Sequence, residues 1–369
     1  MSKTYRGAVI GSTKRGGYGH YHDTAFSGLE NVKLVAVADD DPQGLAEAGK
    51  RLGVTRLYAD YREMFANERP ELVSIGPQWV TERLAMVEAA AAIGCHIYSE
   101  KPLAGDLATA DAILDACRKH KVKLSVAHQF RAMPTLRKAM ANLAEGKYGK
   151  LLRLRARPKD DHRGGGEELI VHGTHLFDLM IALAGTPRWV SAHMAVGERD
   201  VTRDDRRAPP EPFGPLAGDS LAATFGFDHG VHGFIDSHAK AARPGRDLYG
   251  LLVECEEALL FLRSPGDVWV YGAAQVQPAN KDLAWERIWI EDWHFTPEHQ
   301  PRNMSDWLPR GNTILVRDLI AAIEEDREPL ASGQAAHDAI EMIQGVYASH
   351  FAEGRRLKFP LEDRKHPLL

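Results

Sequence analysis

The chain has 369 residues, 44% of them hydrophobic and 26% charged, with a formal net charge of −5. That length accommodates two domains of ordinary size, and the mild acidity gives no basic footprint for nucleic acid. No uninterrupted apolar run is long enough to span a bilayer, and three cysteines, Cys95, Cys117 and Cys255, show neither metal-ligand spacing nor a disulfide framework.

The opening MSKTYRGAVIG enters a strand pattern at once, without a signal-like apolar region, so a cytoplasmic, reducing location is expected. Strand candidates RGAVIG, NVKLVAVAD, ELVSIG, CHIYSE and VKLSVAH alternate with helix candidates PQGLAEAGKRLG, YREMFAN, ERLAMVEAAAAIG and LATADAILDACRKH. In the third helix Leu84, Val87 and Ala91 fall on one face; in the fourth, Ala110, Ile113, Leu114 and Cys117 do. Apolar strands alternating with helices predict a parallel sheet covered on both faces. Its ligand crevice lies beyond the strand C-terminal ends.

After the first strand comes GSTKRGGYGHYH, rich in glycine at Gly11, Gly16, Gly17 and Gly19, ahead of an expected helix. Glycines permit tight turns and close approach of a pyrophosphate, and a helix N-terminus favours negative charge. Gly11 and Gly19 stand three residues further apart than in G-x-G-x-x-G, with Lys14 and Arg15 in the extra length. Taken alone, the turn reads equally as a flexible loop. Asp39 then closes the second strand in VAVADDDP. A carboxylate there accepts both ribose hydroxyls of adenosine and repels a 2′-phosphate, as Asp40 and Asp41 would, which favours NAD over NADP. Lys14, Arg15 and Arg51 are the cations able to reverse that preference. DDDP also reads as a helix cap.

From VAHQFRAMP onward the pattern changes. MPTLRKAMANLAEGKYG suggests a helix, and LLRLRARP alternates leucine with arginine, as a strand with one covered face does. RWVSAHMAV, SLAATFGF, GVHGFIDSH, LYGLLVECE, ALLFLRS and VWVYG follow, separated by turn residues, and predict a mainly antiparallel sheet. Its free face either pairs with another subunit or is covered by helices. VTRDDRRAPPEPFGPLAG reads as a surface excursion, and EDWHFTPEHQPRNMSDWLPRG as either a ligand mouth or a structured connection. Two helices close the chain, with faces at Leu315, Leu319, Ile323 and at Ile340, Ile343, Tyr347.

VHGTHLFDLMIALAG places His175 and Asp178 three apart, on one face if helical. His175 there either transfers a proton or is a partly buried structural histidine, and Asp178 either orients it or binds substrate. His172, His175 and Asp178 also recur every three residues as a metal set does. No H-E-x-x-H motif occurs, no cysteine joins them, and no metal is expected.

Together, VIGSTKRGGYGHYH, VAVADDDP, GCHIYSEKPLAG and GTHLFDLMIALAG resemble the glucose-fructose oxidoreductase, inositol dehydrogenase and rhizopine-catabolism (Gfo/Idh/MocA) family, over nearly the whole chain. The resemblance implies an α/β chain with an N-terminal Rossmann domain, residues 1–127. A C-terminal α/β domain with a large mainly antiparallel sheet follows, residues 128–369, for substrate binding and oligomerisation. It implies hydride transfer between NAD and a sugar or cyclitol alcohol, with assembly into homodimers or homotetramers. It assigns Lys101, His175 and Asp178 to catalysis, and Gly11, Ser12, Gly19, Asp39, Pro77, Glu100 and Lys101 to the cofactor, with Pro102 fixing the turn. Two departures stand out. Val171 occupies the position of the acid four residues before the family histidine, with Glu167, Glu168 and His172 nearby. In GPQWVTERL, Arg83 replaces a histidine and either engages cofactor or an acidic substrate, or lies exposed on its helix. The alternatives to a dehydrogenase are a glycoside-cleaving enzyme using transient oxidation and elimination, and a noncatalytic sugar or cofactor sensor. No nucleic-acid or membrane partner is expected.

Overall fold

The computed structural model describes residues 3–209, 212–239, 241, 249–264, 266–297, 299, 302 and 306–369. The chain divides into two compact units. One comprises Met1–Ala132, Pro210–Gly214 and Ser305–His337; the other comprises Met133–Pro209, Pro215–Met304 and Asp338–Leu369. A single cut at 127/128 therefore differs from the observed division, because a late segment returns to the first unit. The helix Trp307–Glu324 lays Leu315, Val316, Leu319 and Ile320 into the core that holds Tyr5, Val9, Phe26, Val37, Leu72 and Tyr98. Its apolar face is legible in the sequence; the core it joins is not.

The first unit carries six parallel strands: β1 (Tyr5–Ile10), β2 (Val32–Ala38), β3 (Leu57–Tyr58), β4 (Leu72–Ile75), β5 (His96–Ser99) and β6 (Leu124–Val126). Their order is β3-β2-β1-β4-β5-β6. The order reverses between β1 and β4, the point where a doubly wound sheet leaves a crevice at its strand C-termini. β3, with two residues, is too short to show alternation and was not anticipated.

Helix boundaries follow capping chemistry. α1 (Pro42–Leu52) starts where the Asp41 carboxylate accepts the Gly44 N–H at 2.9 Å, with Pro42 in its first turn, and stops at Gly53 in the left-handed region. α2 spans Tyr61–Glu68. α3 (Arg83–Ala92) buries Arg83, Met86, Val87, Ala90 and Ala91, and leaves Leu84 half-buried, so its inward stripe starts on the arginine. α4 (Leu107–His120) is capped by Asp106, which accepts the Thr109 N–H at 2.8 Å. The helix expected after the glycine-rich turn is replaced by turns and a short 3₁₀ segment, His22–Thr24. Left-handed backbone at Gly19 and Tyr21 interrupts a helical path there.

Among its described residues the second unit has ten strands: β7 (Leu151–Arg157), β8 (Trp189–Val196), β9 (Arg199–Asp200), β10 (Ser220–Gly226), β11 (His232–His238), β12 (Gly250–Cys255), β13 (Leu259–Arg263), β14 (Asp267–Tyr271), β15 (Trp285–Arg287) and β16 (Leu357–Lys358). The order is β15-β14-β13-β12-β7-β11-β10-β8-β16, with β9 beside β8. All pairs are antiparallel except β7 with β11. Burial alternates along β7: Leu154 and Ala156 point inward, Arg153, Arg155 and Arg157 outward. The helix Thr174–Ala184 packs on the inward side against β7 and β12. Across the outward side runs an in-register row of Thr224, Phe234, Arg155, Leu252, Phe261 and Trp269, of which only Arg155 is fully exposed. Helices of this unit thus leave that face partly open.

Of the stretch 291–311, residues 298, 300, 301 and 303–305 lie outside the described residues. Its described part begins in a short helix, Glu291–His294, whose Trp293 is buried and donates its indole N–H to the Gly266 carbonyl at 3.3 Å, and ends in the first turn of the helix Trp307–Glu324. Among the described residues no helix is long and apolar enough to cross a membrane.

Candidate active site

The strand ends of the first unit bring the expected cofactor residues into two clusters. At the ends of β1 and β2, three consecutive loop residues each meet one of three consecutive aspartates. The Ser12 hydroxyl donates to Asp40 at 2.8 Å, the Thr13 hydroxyl to Asp39 at 2.7 Å, and the Lys14 ammonium pairs with Asp41 at 2.7 Å. Asp39 also accepts backbone N–H groups of Thr13 at 3.1 Å and Asp41 at 3.0 Å, and is 1% exposed. Above Gly11 lies the Tyr18 ring, in the space a Cβ would need, whereas nothing stands near the same position on Gly17. Open backbone is therefore found at Gly17 rather than at Gly11, where the sequence pointed.

A second cluster gathers at the ends of β4 and β5. Glu100 is wholly buried. Its Oε1 accepts the Lys101 N–H at 2.8 Å; its Oε2 accepts the His20 N–H at 2.7 Å and meets His20 Nδ1 at 3.0 Å and His22 Nε2 at 3.4 Å. Gly19 has to be glycine, because a Cβ there would collide with Glu100 and the Gly76 carbonyl. Burial alone would raise the Glu100 carboxyl, but its neighbours, His20 first and Lys101 among them, outweigh it and hold the group well below the usual carboxylate range. Burial pushes the His22 imidazole down to about 4, against the pull of Glu100. His22 is thus neutral at pH 7. Lys101 itself is 7% exposed.

Arg83 is not the exposed helix residue that the sequence also allowed: it is 0% exposed, and its guanidinium spans two strand-end segments. Nη2 donates to the Pro77 carbonyl at 2.6 Å; Nη1 donates to Ser99 Oγ at 2.8 Å, to the Pro102 carbonyl at 3.3 Å and to the Glu100 carbonyl. Asn312, also unanticipated, donates to the His20 and Tyr21 carbonyls at 2.7 and 3.2 Å and accepts from Tyr98 and Gln129 at 2.8 and 2.9 Å. It fixes the segment that carries His20 and His22.

In the second unit, a π-turn at Leu169–Gly173 runs into the helix Thr174–Ala184. A π-turn holds one residue more than an α-turn, and such turns concentrate at functional sites. His175 and Asp178 lie near the start of the helix, 8% and 0% exposed. His172 is drawn to Glu168 four residues earlier, Nδ1 to Oε1 at 2.8 Å, with the Lys159 N–H on the same oxygen at 3.0 Å. Tyr249 packs its ring edge-on against His172 and donates its hydroxyl to the His172 carbonyl at 3.2 Å. The sequence signal for this Glu168–His172 pair is its i, i+4 spacing. Among the described residues, no group of three or more His, Cys, Asp or Glu side chains could hold a metal ion.

The two depressed groups, His22 and Glu100, make the fold acid-sensitive. Neutral His22 binds fewer protons in the folded than in the unfolded chain between its ordinary 6.5 and about 4. Its contribution therefore falls as pH drops through that window, by up to about 1.4 kcal/mol per unit. Glu100 adds stability above its unfolded value of 4.5 that is lost as pH falls toward its lower folded value. Urea unfolding at pH 7 and pH 5 should show the wild type losing more stability than His22→Asn. Equal losses in the two proteins would discard His22 as the source.

Residues 5–128 match the family model described as "Oxidoreductase family, NAD-binding Rossmann fold". A D-apiose dehydrogenase of Paraburkholderia graminis is 26% identical over 382 residues, 99% of this chain and 92% of that protein. A myo-inositol 2-dehydrogenase of Thermotoga maritima is 24% identical over 63% of this chain and 69% of its own. A levoglucosan dehydrogenase in complex with NADH and levoglucosan shares the fold at TM-score 0.75 and 19% identity, over 97% of this chain and 100% of that one. So does an oxidoreductase of Agrobacterium radiobacter in complex with NAD⁺, L-tartaric acid and magnesium, at TM-score 0.71 and 20% identity, over 96% and 98% of the two chains.

Proposed function

The chain belongs to the Gfo/Idh/MocA oxidoreductase family, and from that premise we propose that it is an NAD-dependent dehydrogenase of a secondary alcohol on a sugar or cyclitol. The observation that carries this reading is the strand-end segment 99–102, where buried Lys101 sits between a fully engaged carboxylate and a proline whose carbonyl is held by Arg83. The D-apiose and myo-inositol dehydrogenases among the relatives support a polyol substrate. Bound NAD supplies the hydride acceptor. Lys101 polarises and positions the substrate oxygen. His175 accepts the hydroxyl proton on oxidation and returns it on reduction, and Asp178 orients His175 or a substrate hydroxyl.

The residues present fit a dinucleotide. Gly11, Ser12, Gly17 and Gly19 form the turn, Asp39 ends β2, and Pro77, Glu100 and Lys101 end the neighbouring strands. Thr13 makes to Asp39 the kind of hydroxyl bond a ribose makes, so ribose binding there exchanges one donor for another. The three cations able to reverse the NAD preference all have carboxylate partners: Lys14 with Asp41, Arg15 with Glu82, and Arg51 with Asp23. None is left over for a 2′-phosphate.

Purified protein with NAD and a panel of neutral sugars and cyclitols should generate NADH absorbance. Aglycone release from glycosides without net NADH would instead support transient-redox cleavage, and cofactor binding without turnover on any substrate would support a sensor. In titrations at matched ionic strength NAD should bind more tightly than NADP, and Asp39→Ala should weaken NAD by about tenfold and narrow the difference. Tighter NADP binding by the wild type would sink the cofactor assignment. For assembly as a homodimer or homotetramer, we propose the half-buried outward row of the second unit's sheet, where Phe234, Leu252, Phe261 and Trp269 lie in register around Arg155.

A further inference from the structure

We propose that Arg83 is a positioning residue, a buried guanidinium clamp that sets the backbone on both sides of Lys101 and thereby the trajectory of its ammonium; this rests on the reading of Lys101 given above. Arg83 opens α3 on the stripe that otherwise carries Met86, Val87 and Ala90, a place where an apolar side chain would pack. A buried cation is costly there, and burial pushes the guanidinium down to about 10, still protonated at neutral pH. What it gains is a set of oxygens on two separate segments. One is the Pro77 carbonyl, after β4; the others are Ser99 Oγ and the carbonyls of Glu100 and Pro102, at and after β5.

Those last two carbonyls lie on either side of Lys101 in the chain, that of Glu100 in the peptide entering it and that of Pro102 one peptide further on. The Lys101 N–H is in turn held by the Glu100 carboxylate at 2.8 Å. The peptide that enters Lys101 is therefore held at both its carbonyl and its N–H, and the chain that leaves it is held at the carbonyl of the following proline. A lysine reaches its target on a flexible four-carbon stem, so the placement of its Cα decides where the charge dwells. Only a planar fork with several donors in fixed directions can serve carbonyls on two loops at once; an ammonium offers three donors from a single point. Ser99 completes the device, receiving from Arg83 and donating to the Glu100 carbonyl at 3.2 Å.

The decisive experiment is a double-mutant cycle on the full chain with Arg83→Lys and Lys101→Ala. Arg83→Lys alone should lower kcat by about 10²-fold, the cost of misplacing a reacting group by about 1 Å, with the KM for the sugar moved less than about threefold. In the Lys101→Ala background the same change should alter kcat by less than about twofold, because an effect exerted through Lys101 has nothing left to act on. A readout independent of turnover accompanies this. Backbone amide exchange at Lys101 should quicken at least about tenfold in Arg83→Lys, while the β1 and β2 amides keep their protection.

Equal losses in both backgrounds, or an unchanged kcat in Arg83→Lys, overturn the proposal. If Arg83→Lys does not fold, Ser99→Ala decides: a lowered kcat at constant KM supports the clamp, and an unchanged kcat assigns Arg83 to the core and overturns it. Failure of the underlying reading has a different signature, namely a Lys101→Ala protein that turns over like the wild type.

Discussion

Lys101→Ala should lose about 10³-fold in kcat while its NAD dissociation constant stays within about threefold of the wild type. The size follows from removing a group that polarises the reacting oxygen, a role that contributes about 10²–10⁴-fold when its geometry is held. Retained affinity is expected because the neighbouring structure does not depend on the ammonium. Glu100 keeps the His20 N–H and the backbone N–H at position 101, and Arg83 keeps its carbonyls. Lys101→Arg should not restore turnover: the charge survives, but a broad planar group cannot occupy a slot 7% exposed without displacing its surroundings. Stopped-flow hydride transfer and cofactor fluorescence separate the two quantities. A variant that loses NAD affinity in proportion to kcat would make Lys101 a cofactor ligand and not a catalytic group.

His175→Asn is the second large effect. kcat for oxidation should fall by about 10²–10³-fold. The variant should also lose the limb of the kcat/KM profile for oxidation that falls towards acid pH. The sign is set by the direction of reaction: oxidation needs the imidazole unprotonated to accept the hydroxyl proton, so acid inhibits it, and reduction shows the opposite slope. If the limb survives in the variant, the proton passes elsewhere. The buried Glu168–His172 pair, with its 2.8 Å contact, is then the group to substitute next.

The two outcomes above bear on residues that the sequence already singled out, and the contrast with Arg83 shows where such reading stops. Lys101, His175 and Asp39 stand out in the sequence because each follows a local pattern: a strand end before proline, a polar pair at the head of an apolar helix, an acid closing an apolar strand. The parallel sheet is legible for the same reason, since buried parallel strands are continuous apolar runs. Arg83 has no such pattern. Its partners are mostly carbonyl oxygens, which every residue owns, so nothing in the sequence of α3 distinguishes a buried arginine from an exposed one. Asn312 is hidden differently: its four partners lie at Tyr98, Gln129, His20 and Tyr21, in segments remote from it in the chain. The missing helix after the glycine-rich turn was obscured because a three-residue 3₁₀ segment leaves no periodicity to find. The Glu168–His172 pair, which straddles Val171, is available from its i, i+4 spacing.

Synthesis on the ribosome proceeds from the N-terminus, and the helix Trp307–Glu324 fixes when the first unit can be finished. Until that helix emerges, the nascent chain holds β1 through β6 without Leu315, Val316, Leu319 and Ile320, which close the core over Tyr5, Phe26 and Tyr98. The Val126 N–H waits likewise for the Ala331 carbonyl, its partner at 2.8 Å. Apolar surface that stays open during translation is what chaperones bind and what drives early aggregation. The dinucleotide unit, first in the sequence, is thus among the last parts of the protein to become complete. A chain interrupted anywhere before the helix leaves the ribosome with its cofactor turn unsupported, because Asn312 has not yet arrived to hold His20 and Tyr21.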